Sequence, residues 1–323
     1  FRNIFMKDVT SEYMKTCDIM IPTQKKRNHK HAYLAVFDNQ KWVPICYGTQ
    51  KGKVCYFNEI GKDIAYLPLY YDNQGIHPIT DPFILDSRGR IKYLHADTSK
   101  RKKVILSRKY YLAKHIFDYA KTLTGGHFEA SNNPDFSDPD TIHTISHWLL
   151  SADSFEIKPQ KTYRYWRYVS AKNKGCNLAE LAFYSDKEEK ELTGTIIGTN
   201  ASVRYDTMPM DKSKVFDKDI LTYYEAPSTV DYPWVGLDFN KPVSINKIIY
   251  TPRNDDNNIH AGDLYELFYW EYNHWMSLGQ QRAIESKLTY TNVPDNALLL
   301  LKDLTKGEEE RIFTYENDKQ VWW

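Results

Sequence analysis

The sequence is poor in cysteine and has no excess of charge of either sign. Its four cysteines, Cys17, Cys46, Cys55 and Cys176, lack C-x-x-C spacing, which excludes the usual zinc and redox motifs. The 43 Lys and Arg side chains are balanced by 42 Asp and Glu side chains. Because nucleic acid binding depends on a field of basic side chains, we expect no nucleic acid partner.

Long apolar runs and familiar catalytic motifs are also missing. The longest aliphatic run is Ala297 to Leu301, far short of the roughly 20 apolar residues that a membrane-spanning helix needs. The chain has no G-x-S-x-G, G-x-x-x-x-G-K-[ST] or H-E-x-x-H motif, so we expect binding rather than catalysis. It opens on Phe1 without a leader, which indicates a piece of a longer protein.

Tyrosine and tryptophan are abundant, with 25 and 8 residues, as is typical of β-rich chains. Short runs of alternating apolar residues, separated by turn signals, fill residues 8 to 108 and return after "YRYWRYVSA". They predict an all-β chain of two tandem β-sandwiches. We place an immunoglobulin-like or transthyretin-like sandwich at 1–110 and a second sandwich at 111–323. The charged run "SKRKK", 99–103, is interpreted as a solvated turn.

Two of the cysteines are placed symmetrically in "VPICYGTQKGKVCYF". A hairpin that turned at Gln50 and Lys51 would bring Cys46 opposite Cys55. The pattern leaves a cross-strand disulfide and two free thiols both open.

The stretch "VFDKDILTYYEAP", 215–227, gathers oxygen-bearing side chains. Asp217, Asp219 and Thr222 fall within one short turn. Calcium takes six to eight oxygen ligands at roughly 2.4 Å. An EF-hand is excluded, since the Gly at its position 6 and the Glu at its position 12 are missing. The D-x-D-x-x-T pattern is either an ordinary solvated turn or part of a calcium site.

The flanks of this turn resemble the discoidin domain, also called the coagulation factor type C or galactose-binding-like domain. The resemblance rests on the acidic turn with Thr222, on "WVGLDF" from Trp234, on "INKIIYTPR" and on "LYELFYW". It covers about 120–323 and implies a jelly-roll sandwich. Lys218 stands where the family usually has Gly.

The same resemblance implies a structural calcium ion. The residues that match its ligands are Lys214, Asp217, Asp219, Thr222, Ala179 and Glu180. The family carries its Ala-Glu strand after the acidic turn, whereas here that strand comes before it. We therefore expect a permuted strand order if the site is to close.

Carbohydrate-binding members of the family hold sugar with an Arg and an Asn on the loop after the Y-x-P-R strand. The matching residues are Arg253, Asn257 and Asn258, with Tyr224, Glu225 and Trp275 as candidates for the rim. In the alternative interpretation the loop only bonds to itself, and Arg253 pairs with Asp255 or Asp263. The family's histidine is replaced by the 225–227 region, so galactose specificity is not implied.

The whole chain is also similar to the C-terminal region of secreted bacterial proteins with an upstream transglutaminase-like peptidase domain, through "DVTSEY", "KWVPICYG", "DPFILDSRGRI" and "RIFTYENDKQVWW". This resemblance implies an extracytoplasmic accessory region that binds a glycan or glycoprotein without catalysing a reaction. The alternative is a structural spacer, packed on the upstream catalytic domain and without a ligand of its own.

Overall fold

The structure is a computed structural model that describes residues 16–23, 32–72, 74–111, 114–158, 161–185, 191–202, 210–307 and 311–323. Strands dominate these residues, and the all-β class predicted from the sequence is confirmed. Within these ranges, no helix has the length and apolar character needed to cross a membrane. "DVTSEY", 8–13, lies outside the described residues.

The strands and the helix follow one another along the chain. The first group is β1 (Thr16–Pro22), β2 (Ala32–Asp38), β3 (Lys41–Lys51), β4 (Val54–Gly61), β5 (Ile64–Asp72), β6 (Gly75–Pro78), β7 (Phe83–Leu85), β8 (Ile91–Tyr93) and β9 (Asp97–Leu106). The second group is α1 (Lys114–Lys121), β10 (His127–Ser131), β11 (Asp140–Thr144), β12 (Asp153–Glu156), β13 (Tyr163–Val169), β14 (Cys176–Tyr184), β15 (Thr195–Gly198), β16 (Tyr224–Glu225), β17 (Trp234–Val243) and β18 (Lys247–Pro252). The third group is β19 (Leu264–Glu271), β20 (His274–Arg282), β21 (Leu288–Asp295), β22 (Leu299–Asp303), β23 (Ile312–Glu316) and β24 (Lys319–Trp322).

The chain forms two compact units, and the first of them is discontinuous in sequence. It consists of residues 1–110 and 261–323, whereas the second consists of residues 111–260. Strand pairing gives the reason, because β21 pairs with β9, with Leu288 opposite Leu106 and Tyr290 opposite Val104. From the sequence we placed one boundary, after residue 110, and placed none after residue 260.

The first unit contains a sheet of order β1-β4-β3-β2-β5-β7-β8 and a sheet of order β20-β19-β22-β23-β24. Strand β2 is buried on both faces. Leu34 belongs to one apolar cluster, and Ala35 and Phe37 belong to another that includes Trp270 of β19. Successive side chains of a strand point to opposite faces of the sheet, so a strand between two cores is apolar throughout. This accounts for the unbroken run "AYLAVF".

The hairpin of β3 and β4 does not have the symmetry that the cysteine spacing suggested. Its turn is centred on Gly52, whose φ of 61° suits glycine, and this shift places Cys55 opposite Gln50. Cys46 lies opposite Leu34 on the other side of β3. The four cysteines are free, so the disulfide alternative for Cys46 and Cys55 is wrong.

The charged run at 99–103 is a strand and not a turn. It lies inside β9, and most of its side chains are exposed. Since β9 pairs with β21 through its backbone, Lys100, Arg101 and Lys103 remain exposed to solvent. The turn interpretation was wrong because charge reports exposure, which an edge strand shares with a turn.

The second unit is a sandwich of two sheets with the orders β11-β10-β13-β17-β15 and β12-β18-β14-β16. Its core draws side chains from both sheets, among them Phe128, Trp166, Leu181 and Ile248. Strands β11 and β12 are edge strands, and β16 is the opposite edge strand of the β12 sheet. The candidate site residues around Arg253 and Asp217 belong to this unit.

Candidate functional site

The acidic turn follows a short 3₁₀ helix, Lys212–Phe216, that ends at Asp217. The hydroxyl of Thr222 lies 3.0 Å from both carboxylate oxygens of Asp217, and the amide of Asp219 donates to the same carboxylate at 3.1 Å. Lys218 has a φ of 65°, a conformation that glycine adopts with less strain. The backbone therefore makes the turn without the glycine of the discoidin pattern.

The carboxyl group of Glu180, on β14, interacts with the charges of this turn. Its Oε1 atom is buried and has no hydrogen-bond partner among the residues that the structure describes. Burial, and after it the negative charges of Asp217, Glu191 and Asp219, raise the pKa of Glu180 to about 7. Leaving a buried carboxylate unpaired beside like charges is costly. A cation at this position would remove that cost.

Lys214 contacts the acidic turn through two of its atoms. Its carbonyl oxygen lies 3.5 Å from the Thr222 hydroxyl, and its ammonium lies 3.1 Å from Oδ2 of Asp217. Burial alone would raise the pKa of Asp217, but the Asp219 amide and the Lys214 and Thr222 side chains hold it below its usual value. The structure thus brings together the acidic turn, Lys214 and the charge of Glu180.

These carboxylates do not form a metal cluster by themselves. Among the residues that the structure describes, no group of three or more His, Cys, Asp or Glu side chains is arranged to hold a metal ion. A calcium ion here would also need carbonyl and hydroxyl oxygens, which hard cations accept readily. The Lys214 carbonyl and the Thr222 hydroxyl are oxygens of this kind at the turn, whereas Ala179 is buried within β14. The donor set is all oxygen, and with the orphaned Oε1 of Glu180 it fits calcium.

Arg253 follows β18 and is paired with a carboxylate from β16. Its Nη1 donates to Oε2 of Glu225 at 3.2 Å and to Oδ1 of Asn177 at 3.4 Å. The two paired side chains are only 14% and 10% exposed, so the ion pair is largely shielded from water. Its partner is neither of the two carboxylates considered from the sequence, Asp255 and Asp263.

Two aromatic rings pack on the same guanidinium group. Its central carbon lies 3.5 Å from the ring centroid of Tyr223 and 3.8 Å from that of Tyr119. Cation–π contacts at these distances are favourable and restrict the orientation of the side chain. In the described part of the chain, Nε and Nη2 of Arg253 have no hydrogen-bond partner. The guanidinium is therefore fixed through Nη1, and its other edge makes no hydrogen bond to the described residues.

The asparagines of the loop have backbone partners. Asn258, which is 4% exposed, donates to the carbonyl of Leu150 at 2.9 Å. Asn257 donates to the carbonyl of Tyr111 at 3.2 Å. Both side chains thus fix the loop, and Asn258 is too deeply buried to meet a ligand.

Tyr224 and Trp275, two candidates for the rim, both have other packing partners. Tyr224 is fully buried in the core, and its hydroxyl donates to the carbonyl of Thr199 at 2.7 Å. Trp275 lies on β20 of the first unit and packs edge-on against Phe37 and Trp270. Tyr224 cannot offer a stacking face because its ring is enclosed, and Trp275 has its aromatic partners in its own unit.

The structure adds three residues to this site that the sequence did not reveal. Tyr119 of α1, Tyr223 and Asn177 all contact the Arg253 side chain. Tyr223 directly follows Thr222 of the acidic turn in the sequence. No spacing pattern links these positions, since each reaches the guanidinium from a different element.

Comparisons with known proteins add little. No family model matches the chain, and no curated protein matches it. Among solved structures, it is similar to the FN1–FN3 domains of chicken CNTN1, with 8% sequence identity over 96% of this chain and 95% of that chain. The TM-score is 0.17, which is too low to support any conclusion about fold or function.

Proposed function

We propose that the second unit is a non-catalytic, discoidin-like module that binds a glycan, or the glycan of a glycoprotein, outside the cytoplasm. The observation that carries this proposal is the fixed guanidinium of Arg253. Glu225, Tyr119 and Tyr223 hold it in place, while Nε and Nη2 have no partner among the described residues. A guanidinium edge with parallel donors suits two neighbouring sugar hydroxyls or a carboxylate.

The tyrosines also suit this class of ligand. Tyr119 and Tyr223 are half-buried, and aromatic rings of this kind offer both an apolar face and a polar tip. Because the ion pair with Glu225 already orders Arg253, little conformational entropy is lost on binding. A preorganised polar group of this kind favours specific recognition.

Calcium has a structural role in this proposal. The ion would be held by Asp217, Asp219, Thr222 and Glu180, with backbone oxygens at Lys214 and beside Ala179. It would neutralise the orphaned carboxylate of Glu180 and tie β14 to the acidic turn. Binding only to the folded state, it would stabilise the second unit by mass action.

The alternative function is a spacer packed on an upstream transglutaminase-like catalytic domain of the same polypeptide. The pairing of Arg253 with Glu225 favours this alternative, because a mostly buried ion pair also serves as a tie between β16 and the loop. In a pure spacer, the unpartnered edge of the guanidinium has no ligand. The two functions therefore differ in whether Arg253 also binds a ligand or only stabilises the fold.

The test is retention on immobilised glycans, with calcium present, of the wild type and of Arg253→Lys. Lysine keeps the charge that Glu225 needs but lacks the guanidinium fork. We expect retention of the wild type, and a loss of about tenfold or more in affinity for the variant. Arg164→Lys is the matched control, since Arg164 makes a paired contact with Asp238 elsewhere in the unit.

The control should lose some stability and keep its affinity. Equal retention of Arg253→Lys and wild type would contradict the role of Arg253. If the wild type is not retained on any glycan and Arg253→Lys only melts at a lower temperature, the spacer is the correct function.

A further inference from the structure

A cavity of the second unit is lined by residues other than those around Arg253. It is a cleft of about 530 Å³ with residues of the edge strands β11 and β12 along its sides. Trp166 and Ile245 are its most deeply buried lining residues, at 2% and 0% exposure. Volumes of roughly 300 to 1,000 Å³ are typical of small-molecule sites. Since β12 and β16 are opposite edges of one sheet, the cleft is separate from the Glu225 pair.

A carboxylate with a fixed orientation lines this cleft. The hydroxyl of Tyr163 and the ammonium of Lys161 both donate to Oδ2 of Asp140, the latter at 2.9 Å. The other oxygen, Oδ1, has no hydrogen-bond partner among the described residues, and 47% of the Asp140 side chain is exposed. The cleft thus offers a free acceptor beside an ammonium that still has unused donors.

An aromatic pair lies on the same lining. The rings of His143 and Phe155 stack with centroids 4.1 Å apart and planes 17° apart. In the part of the chain that the structure describes, the ring nitrogens of His143 have no hydrogen-bond partner. This stack joins β11 to β12 and adds a flat surface with a polar edge to the cleft.

We propose that this cleft binds one neutral sugar ring. A pyranose has an apolar face of C–H groups and a rim of hydroxyls that both donate and accept. The cleft supplies the matching groups, an aromatic surface at His143 and Tyr163, an acceptor at Asp140 and a donor at Lys161. The exposed hydroxyl of Thr141 adds a group that both donates and accepts.

The charges of the lining select a neutral ligand. An acidic ligand would meet the carboxylates of Asp140 and Glu156, and Asp140 already balances the charge of Lys161. A cationic ligand would meet the ammonium groups of Lys158 and Lys161. With two carboxylates and two ammonium groups, the lining has no net charge, so a charged ligand gains no net attraction there.

The test is a titration of the isotope-labelled chain with methyl glycosides of neutral hexoses and N-acetylhexosamines, followed by amide chemical shifts. At least one glycoside should shift residues 140–143 and 154–157 and saturate with a Kd of about 1 mM. Asp140→Asn and His143→Ala should each weaken this binding by about tenfold. Asp231→Asn is the matched control, because Asp231 is also an exposed carboxylate paired with a lysine, Lys172, in the same unit.

Arg253→Lys should leave the shifts at β11 and β12 unchanged, which separates this site from the function proposed above. Absence of shifts there with every glycoside would overturn the proposal. Shifts that survive both cleft variants would also overturn it. If Asp140→Asn or His143→Ala unfolds the unit, Thr141→Ala takes its place, since this exposed side chain has no hydrogen-bond partner among the described residues.

Discussion

Arg164 and Asp238 join neighbouring strands through two parallel hydrogen bonds. Nε of Arg164 donates to Oδ1 of Asp238 at 2.7 Å, and Nη2 donates to Oδ2 at 2.8 Å. The two residues lie on β13 and β17, which pair across the centre of one sheet of the second unit. The guanidinium is the main reason that the pKa of Asp238 lies below its usual value, and the amide of Asn240 adds to the effect.

Asp238 should therefore contribute to stability in a pH-dependent way. A carboxyl group whose pKa is lower in the folded state stabilises the fold above its unfolded pKa of about 4 and loses this contribution as pH falls further. Asp238→Asn should cost about 0.5 to 1 kcal/mol at neutral pH, because the pair is partly exposed. Urea unfolding at about pH 7 and about pH 3 measures the deficit, which should shrink at the lower pH. An equal deficit at both pH values would show that the charge is not the cause.

Removal of calcium should destabilise the second unit if the proposed ion is present. A chelator should lower its melting temperature, and Glu180→Gln or Asp219→Asn should abolish that dependence. Without the ion, Glu180→Gln should be more stable than the wild type, because it removes a buried charge beside Asp217 and Asp219.

Differential scanning calorimetry with and without calcium makes this measurement. Asp231→Asn serves as the control and should keep the response to the chelator. A wild-type melting curve that is indifferent to both calcium and chelator would rule out the ion.

All four thiols should be free. A thiol reagent added to the unreduced, unfolded chain should count four, whereas the folded chain should react mainly at Cys17 and Cys46, which are half-buried. Cys55 and Cys176 are buried, and burial raises the pKa of the Cys176 thiol, which lowers its reactive fraction. A count of two in the unfolded chain would restore a disulfide and contradict the β3–β4 register.

The sequence predicts best where a pattern is local. The alternation in "NLAELAFY" predicts a strand because side-chain direction has a period of two, and β14 occupies it. The crowding of Asp217, Asp219 and Thr222 also predicted a polar turn, since all three fall within one loop. In such cases the residues that decide the structure are sequence neighbours.

Long-range relationships were not predictable in this way. The pairing of β9 with β21 joins strands on either side of an entire unit, and no change of composition marks the boundary after His260. The pairing of Arg253 with Glu225 was not predicted, because the loop offers Asp255 at closer spacing. Trp275 looked available for a sugar only because its aromatic neighbours Phe37 and Trp270 are not evident from its own segment.

The placement of residues 111–260 between β9 and β19 has a consequence for synthesis on the ribosome. Strand β9 is made early, yet its partner β21 is made only after the whole second unit has emerged. Residues 111–260 are contiguous and can fold as soon as they leave the exit tunnel, because domains generally fold as units during synthesis. The first unit must instead wait with an unpaired strand edge, and closing so long a loop slows folding. The first unit is therefore completed after the second one, and β9 keeps an unpaired edge, which is prone to aggregation, until β21 has been made.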